Sequence, residues 1–137
     1  MNDNACNSQD ISVFSLIDYR NILSIEIGND NLMYVNEFVM NGLNQLKSLK
    51  IGTTSFTEQK DNWDVMTINH SRSFHILNCE HLQSIEIGRY SFSDYGGLFE
   101  LSNLPLLYSI NIGEVEYDSS NFYGASFEIQ GKFSILY

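Results

Sequence analysis

Apolar and polar positions alternate along this chain in short bursts, and the bursts recur. ILSIEIG (22–28), LKSLKIG (46–52), LQSIEIG (82–88) and LYSINIG (107–113) are versions of one pattern whose first, fourth and sixth places are apolar. In each, the last two apolar residues are spaced by two: Ile25 and Ile27, Leu49 and Ile51, Ile85 and Ile87, Ile110 and Ile112. That spacing predicts a short strand with those side chains on a core face and Ser with Glu, Lys or Asn on the other. The closing glycines, Gly28, Gly52, Gly88 and Gly113, predict the turn out of the strand. A second alternation lies upstream, pairing Phe14 with Leu16, Phe38 with Met40, Phe74 with Ile76, Phe99 with Leu101 and Phe127 with Ile129. It predicts a second short strand in each unit. The position four residues after each phenylalanine holds Asp18, Gly42, Asn78, Asn103 or Gly131, residue types that tolerate a left-handed turn.

Each of the four complete blocks runs without a gap from its phenylalanine to its glycine, whereas the phenylalanines themselves are 24, 36, 25 and 28 residues apart. All the variation falls after the glycine. A solenoid accommodates insertions in this way, because a loop on one side lengthens at small entropic cost while the core-forming segments stay fixed. The division expected is a loose N-terminal segment over 1–13 and a solenoid over 14–137, of about four coils plus a fifth cut short. No polar cap is visible over Phe14, and the fifth copy has reached only its ninth position at Ile135. Coils without caps expose core, so the expectation is a fragment of a longer protein or a chain that associates end to end.

The string L-x-S-I-x-I-G-x-x-S-F, found with one Leu-for-Ile exchange at 46–56 and unchanged at 82–92, resembles the leucine-rich repeat signature L-x-x-L-x-L-x-x-N-x-L. Ser stands at the asparagine place and Phe at the final leucine. In the other copies Asn31 and Leu32, and Glu116 and Tyr117, fall at these two places. The block F-x-L-x-N-L-P at 99–105 is similar to the far side of such a repeat. The nearest likeness is to the irregular, phenylalanine-rich leucine-rich repeats of large protist and BspA-like bacterial proteins. The resemblance implies a mainly β, right-handed leucine-rich-repeat solenoid with two short parallel sheets and little helix. It also implies a concave face made by a parallel sheet, and a role in binding other proteins.

Charge narrows the partners. Against 17 Asp and Glu the 137 residues carry only 7 Lys and Arg, a formal charge of −10 that repels phosphate backbones and anionic membrane surfaces. Neither nucleic acid nor a membrane is expected as a partner. No apolar window is long enough to span a bilayer, and the polar start MNDNACNSQD lacks the features of a secretory signal, which favours a soluble, cytoplasmic protein. Cys6 and Cys79 lack the spacing of a disulfide framework or a zinc site. His70 and His75, five apart, do not share a strand or helix face, so no metal and no cofactor is expected.

The candidate partner-binding residues are the outward column Glu26, Lys50, Glu86 and Asn111, together with Trp63. The column reads either as a charge ladder that fixes stacking or as a face for a protein partner. Beside it run Ser24, Ser48, Ser84 and Ser109, with no His or Asp at a recurring spacing, so they read as a hydroxyl ladder rather than as nucleophiles. Trp63 lies in the longest insertion, 53–73, either as a partner hot spot or folded back with Val65 and Ile68 over the edge of the solenoid. The stretch 114–126, with Tyr117, Phe122 and Tyr123, is open between core and surface. The function expected is a non-catalytic protein-binding scaffold. The competing readings are a structural segment of a longer repeat array and a hydrolase using Asp or Glu with His.

Overall fold

The computed structural model describes residues 1–58 and 68–133, without the side chains of 132 and 133. Two parallel sheets run side by side. One contains β1 (Val13–Ile17), β3 (Glu37–Asn41), β5 (Ser73–Leu77), β7 (Leu98–Leu104) and β9 (Ser126–Phe133), in that order. The other contains β2 (Ser24–Ile27), β4 (Ser48–Ile51), β6 (Ser84–Ile87) and β8 (Ser109–Ile112), also in chain order. The chain therefore visits each sheet once per coil and stacks every coil on the one before, giving a β-solenoid of about four turns with no helix among the described residues.

Register follows the repeat. Phe14 lies opposite Phe38, Phe38 opposite Phe74, Phe74 opposite Phe99 and Phe99 opposite Phe127. Because neighbouring parallel strands sit about 4.8 Å apart, identical inward residues are brought to ring-stacking distance. The centroids of successive rings are 5.1, 4.7, 5.0 and 4.7 Å apart along that column. A second column rises beside it, with Phe56, Phe92 and Phe122 at 4.6 and 4.9 Å. The columns meet edge to face, Phe38 on Phe56 at 5.4 Å, Phe74 on Phe92 at 5.0 Å and Phe99 on Phe122 at 4.7 Å. Each such pair contributes about 0.5–1.5 kcal/mol beyond the area it buries.

The second column belongs to the third side of the coil, where the backbone is left-handed. Leu32, Phe56, Phe92 and Phe122 have φ of 55°, 57°, 59° and 50°, and two residues earlier Asp30, Thr54, Tyr90 and Ser120 have φ of 55°, 55°, 63° and 42°. A residue with a side chain in this region costs about 1–2 kcal/mol. The ring stack and the coil-to-coil bonds hold it there: the Phe56 N–H donates to the Asn31 carbonyl at 2.8 Å and the Phe92 N–H to that of Ser55 at 3.0 Å. In the fourth coil the sequence reading placed Glu116 and Tyr117 at these positions. The structure corrects this to Asn121 and Phe122, five residues further on, and leaves Glu116 and Tyr117 exposed in a longer turn. At the far-strand exits Asp18, Gly42, Asn78, Asn103 and Gly131 are all left-handed, as the sequence predicts.

Residues 1–6, expected to be loose, follow the path of residues 27–32 one coil away. The Gly28 N–H donates to the Met1 carbonyl as the Gly52 N–H does to that of Ile27, and Asn4 and Leu32 bond to Asn29 and Ala5. Asn4 and Cys6 repeat the pair of left-handed residues. Small and polar side chains here meet the same geometric requirements as the later coils, so this strip adds a layer on the third side alone.

Gly28, Gly52 and Gly88 have no positive φ, so the turn does not demand them. Close approach of the coils does. A Cβ at Gly88 would stand 2.6 Å from the carbonyl carbon and oxygen of Gly52, whereas one at Gly28 would meet chiefly the Asp3 carboxylate, which can swing away. Gly88→Ala is expected to destabilise the fold by about 1–3 kcal/mol through forced backbone separation, and Gly28→Ala by clearly less. Chemical denaturation of both variants checks the ordering.

Candidate interaction surface

The outward side of the β2–β4–β6–β8 sheet carries two columns. Strand register sets Glu26 beside Lys50, Lys50 beside Glu86 and Glu86 beside Asn111, all four exposed. Two residues earlier on the same face, Ser24, Ser48, Ser84 and Ser109 are likewise aligned. Among the described residues no ion pair within 4.0 Å joins Lys50 to either glutamate, and none of the four serine hydroxyls bonds to the protein. The serines are thus not a bonded ladder. They form a low strip beside the charged column, and both columns keep their bonding capacity for solvent or a partner.

A hydroxyl ladder does exist, inside the third side of the coil. Ser55 and Ser91 are fully buried; Asn31 N–H donates to Ser55 Oγ at 3.1 Å and Ser55 N–H to Ser91 Oγ at 2.9 Å. Each hydroxyl in turn donates back one coil, Ser55 Oγ to the Gly28 carbonyl at 2.8 Å and Ser91 Oγ to that of Gly52 at 2.6 Å. The Ala5 N–H bonds to Asn31 Oδ1 at one end, and Asn121 Nδ2 caps the Gly88 and Ser91 carbonyls at 2.8 and 2.9 Å at the other. These side chains supply the bonds that the left-handed turns deny to a regular sheet.

One charged cluster departs from the repeat. Arg72, 2% exposed, reaches the Asp94 carboxylate with Nη1 at 3.0 and 3.2 Å, Glu58 with Nη2 at 2.7 Å and the Met33 carbonyl at 3.4 Å. Its guanidinium lies 5.7 Å from the centre of the Tyr95 ring, whose hydroxyl donates to the Val35 carbonyl. Burial pushes the Asp94 carboxyl above its usual range, and the Arg72 charge and the Glu58 N–H partly offset this. The Tyr95 hydroxyl is also pushed up by burial. With both members of the Arg72–Asp94 pair nearly inaccessible, its place is in the packing, tying Asp94 of the third coil to Arg72 and Glu58 of the 53–73 insertion.

Sequence reasoning did not single out Arg72, Asp94 or Asn121. A signal was available for the first: the position two before each of the five repeat phenylalanines is Ser12, Asn36, Arg72, Gly97 and Ala125, so a long cation stands where the other coils have small residues. Trp63 and Val65 lie outside the described residues. Ile68 packs near Gly96 and Gly124 at the solenoid edge. In the tyrosine-rich stretch Phe122 is core, while Tyr117 and Tyr123 are exposed. Cys79 is buried in the core and Cys6 is exposed. His75 Nδ1 lies 2.7 Å from a Glu100 oxygen on the outward side of the other sheet, and His70 bonds the Gly96 carbonyl. Among the described residues no three His, Cys, Asp or Glu side chains gather as a metal site would need.

Arg72→Met leaves Asp94 buried and unpaired, and is expected to cost about 3–5 kcal/mol at neutral pH. An acid whose folded pKa is raised takes up a proton more readily folded than unfolded, so lowering the pH through the acidic range returns stability. The loss in Arg72→Met should therefore shrink towards acid pH, more steeply than any change in the parent chain. Thermal melts of both chains across the acidic to neutral range measure it.

Comparison of the chain with family models, with curated proteins and with solved structures finds no match in any of the three.

Proposed function

We propose that this solenoid is a non-catalytic scaffold that binds another protein through the outward face of its β2–β4–β6–β8 sheet. The observation that carries the reading is the column Glu26, Lys50, Glu86 and Asn111, aligned strand by strand, exposed and engaged by no ion pair among the described residues. Four strands in continuous register, with Leu49, Ile51, Ile85 and Ile87 buried behind the middle two, present these groups at a constant spacing. A partner with a complementary strip then pays little ordering entropy for the scaffold's side. The resemblance of the repeats to leucine-rich repeats supports the same reading, and so does the acidic charge, which favours a basic patch on the partner.

The second reading, a structural element that builds larger arrays, is favoured by a different observation: inward positions of the last strands are exposed, Ile110 to 42%, Phe127 to 59% and Ile129 to 57%.

The test of the binding reading is a charge-reversed chain, Glu26→Lys, Lys50→Glu and Glu86→Lys together. Exposed positions of this kind move stability by about 0.5 kcal/mol or less each, so the melting curve should stay close to that of the parent. A protein that binds the parent chain is expected to bind the reversed chain at least about tenfold more weakly, a difference of about 1.4 kcal/mol. Equal affinity for both chains would remove this face as the site.

A further inference from the structure

The outward column reads minus, plus, minus, neutral along the stack: Glu26, Lys50, Glu86, Asn111. Reverse the order of the coils, keep the direction of the strands, and lay the reversed column on the original. Lys50 then meets Glu86 and Glu86 meets Lys50, while Glu26 and Asn111 meet each other. A two-fold axis parallel to the strands and passing between β4 and β6 performs this operation on two copies set face to face. No pair of like charges comes together, and the centre of the pattern lies in the two middle strands.

We propose that a second copy of this chain docks on the β2–β4–β6–β8 face, sheet against sheet about that two-fold axis, to give a closed dimer. The inference rests on the reading of this face as a protein-binding surface and names its occupant. The row just before the serines fits the same symmetry. It consists of Leu23, Lys47, Gln83 and Tyr108, tied coil to coil by backbone bonds: the Lys47 N–H donates to the Leu23 carbonyl at 2.8 Å, the Gln83 N–H to that of Lys47 at 2.9 Å and the Tyr108 N–H to that of Gln83 at 3.0 Å. Coil reversal sets Leu23 across from Tyr108, each 59% exposed, and Lys47 across from Gln83. The dimer thus brings together, twice, two large apolar residues that the single chain leaves in solvent. Between the two rows lie only serines, whose small side chains let the sheets approach.

Charge favours a like copy at this place. On a chain of formal charge −10, the charged groups of these two rows cancel, Glu26 and Glu86 against Lys47 and Lys50, so the face does not repel its own kind. A contact in which residue i meets j and j meets i is isologous and closes at two chains. Four strands about 4.8 Å apart, each four residues of about 3.3 Å, offer roughly 250 Å² per copy. A standard interface takes about 800 Å² per partner, so the dimer is weak and reversible. Its central contacts are ion pairs at a solvent-exposed face, so added salt weakens it.

Sedimentation equilibrium over a concentration series is expected to give an average mass that rises and levels at two chains, with the rise moving to higher concentration as salt is added. A parent chain that stays monomeric at the highest concentration overturns the proposal, and so does a mass that climbs past two. Charge exchanges locate the axis. Lys50→Glu sets glutamate against glutamate twice and Glu86→Lys sets lysine against lysine twice, so each should raise the dimer Kd at least about tenfold. An equimolar mixture of these two chains should form one-to-one heterodimers, and both exchanges in one chain should restore the parent behaviour. Glu26→Lys, which faces Asn111, should leave the Kd within about threefold. No heterodimer in the mixture, or a loss on Glu26→Lys as large as on Lys50→Glu, means that the two-fold does not lie between β4 and β6. The chain reversed at Glu26, Lys50 and Glu86 together reads plus, minus, plus, neutral, which is again self-complementary. It should dimerise as the parent does while losing any foreign partner of the parent face. A monomeric parent that binds a foreign protein which the reversed chain does not bind would strike self-docking and leave the face as a binding site.

Discussion

The spacing of parallel strands, about 4.8 Å, governs every other feature of this molecule. Once each coil must rise by that distance, an inward residue at a given repeat position can only rest on its own counterpart. Flat aromatic rings suit the requirement: they stack with interplanar angles of 7° and 4° in one column and 9° and 10° in the other, and only the last ring, Phe127, is tilted, by 43° against Phe99. The same rise leaves no room for a Cβ at Gly52 or Gly88 and fixes the hydroxyls of Ser55 and Ser91 within reach of the coil below. The left-handed backbone at Phe56, Phe92 and Phe122 is a cost of closing so small a coil. Burial of their rings offsets it, and the edge-to-face contacts between the columns bind the third side to the far strands.

Departure from the repeat is confined to where the chain departs from its period. The segment between Phe38 and Phe74 is the longest of the four, and it is there that Arg72 enters the interior with Asp94, Glu58 and Tyr95 about it. A guanidinium is suited to this place because its planar fork satisfies a carboxylate on one side and reaches a carbonyl on another while its face lies against a ring. A periodic core has no use for such a group. An insertion, which brings acidic and backbone groups from outside the repeat against the stack, does.

Much of the fold was legible because the repeat states it several times over. Five phenylalanines at one repeat position, four Ile-x-Ile-Gly or Leu-x-Ile-Gly endings and five turn residues at one place each specify one structural role, and the strands, registers and left-handed exits follow. What was not legible came from single occurrences. Asn121 and Phe122 occupy the ladder and ring positions after a turn five residues longer than counting allows, so alignment from the glycine reached Glu116 instead. The recurrence of a small polar residue before an aromatic, Ser55–Phe56, Ser91–Phe92 and Asn121–Phe122, carries the information, but only once the left-handed pair is known to be the fixed point. The serines of the strands line up as the repeat predicts, but their hydroxyls make no bond to one another. Alignment brings hydroxyls together in sequence, yet outward side chains at strand spacing have water as a better partner than one another. Of the glycines expected to make the turn, Gly113 does so with a φ of 77°, whereas Gly52 and Gly88 are restricted by the neighbouring coil.

The outward column and the ends of the solenoid answer to different constraints. Glu26, Lys50, Glu86 and Asn111 are held in place by residues behind them and contribute nothing to the stack, so their identities can change without loss of the fold. That independence makes a sheet face suitable for specificity, since side chains can be fitted to a partner while the backbone stays fixed. The ends have no such freedom. A residue that covers the ring column also carries it on by one place. Phe127 is placed to close the column over Phe99, and in doing so it presents a ring to whatever lies beyond. A column of like residues is thus a direct consequence of a core built by repetition, whereas variety on the outward sheet face is what the repetition permits.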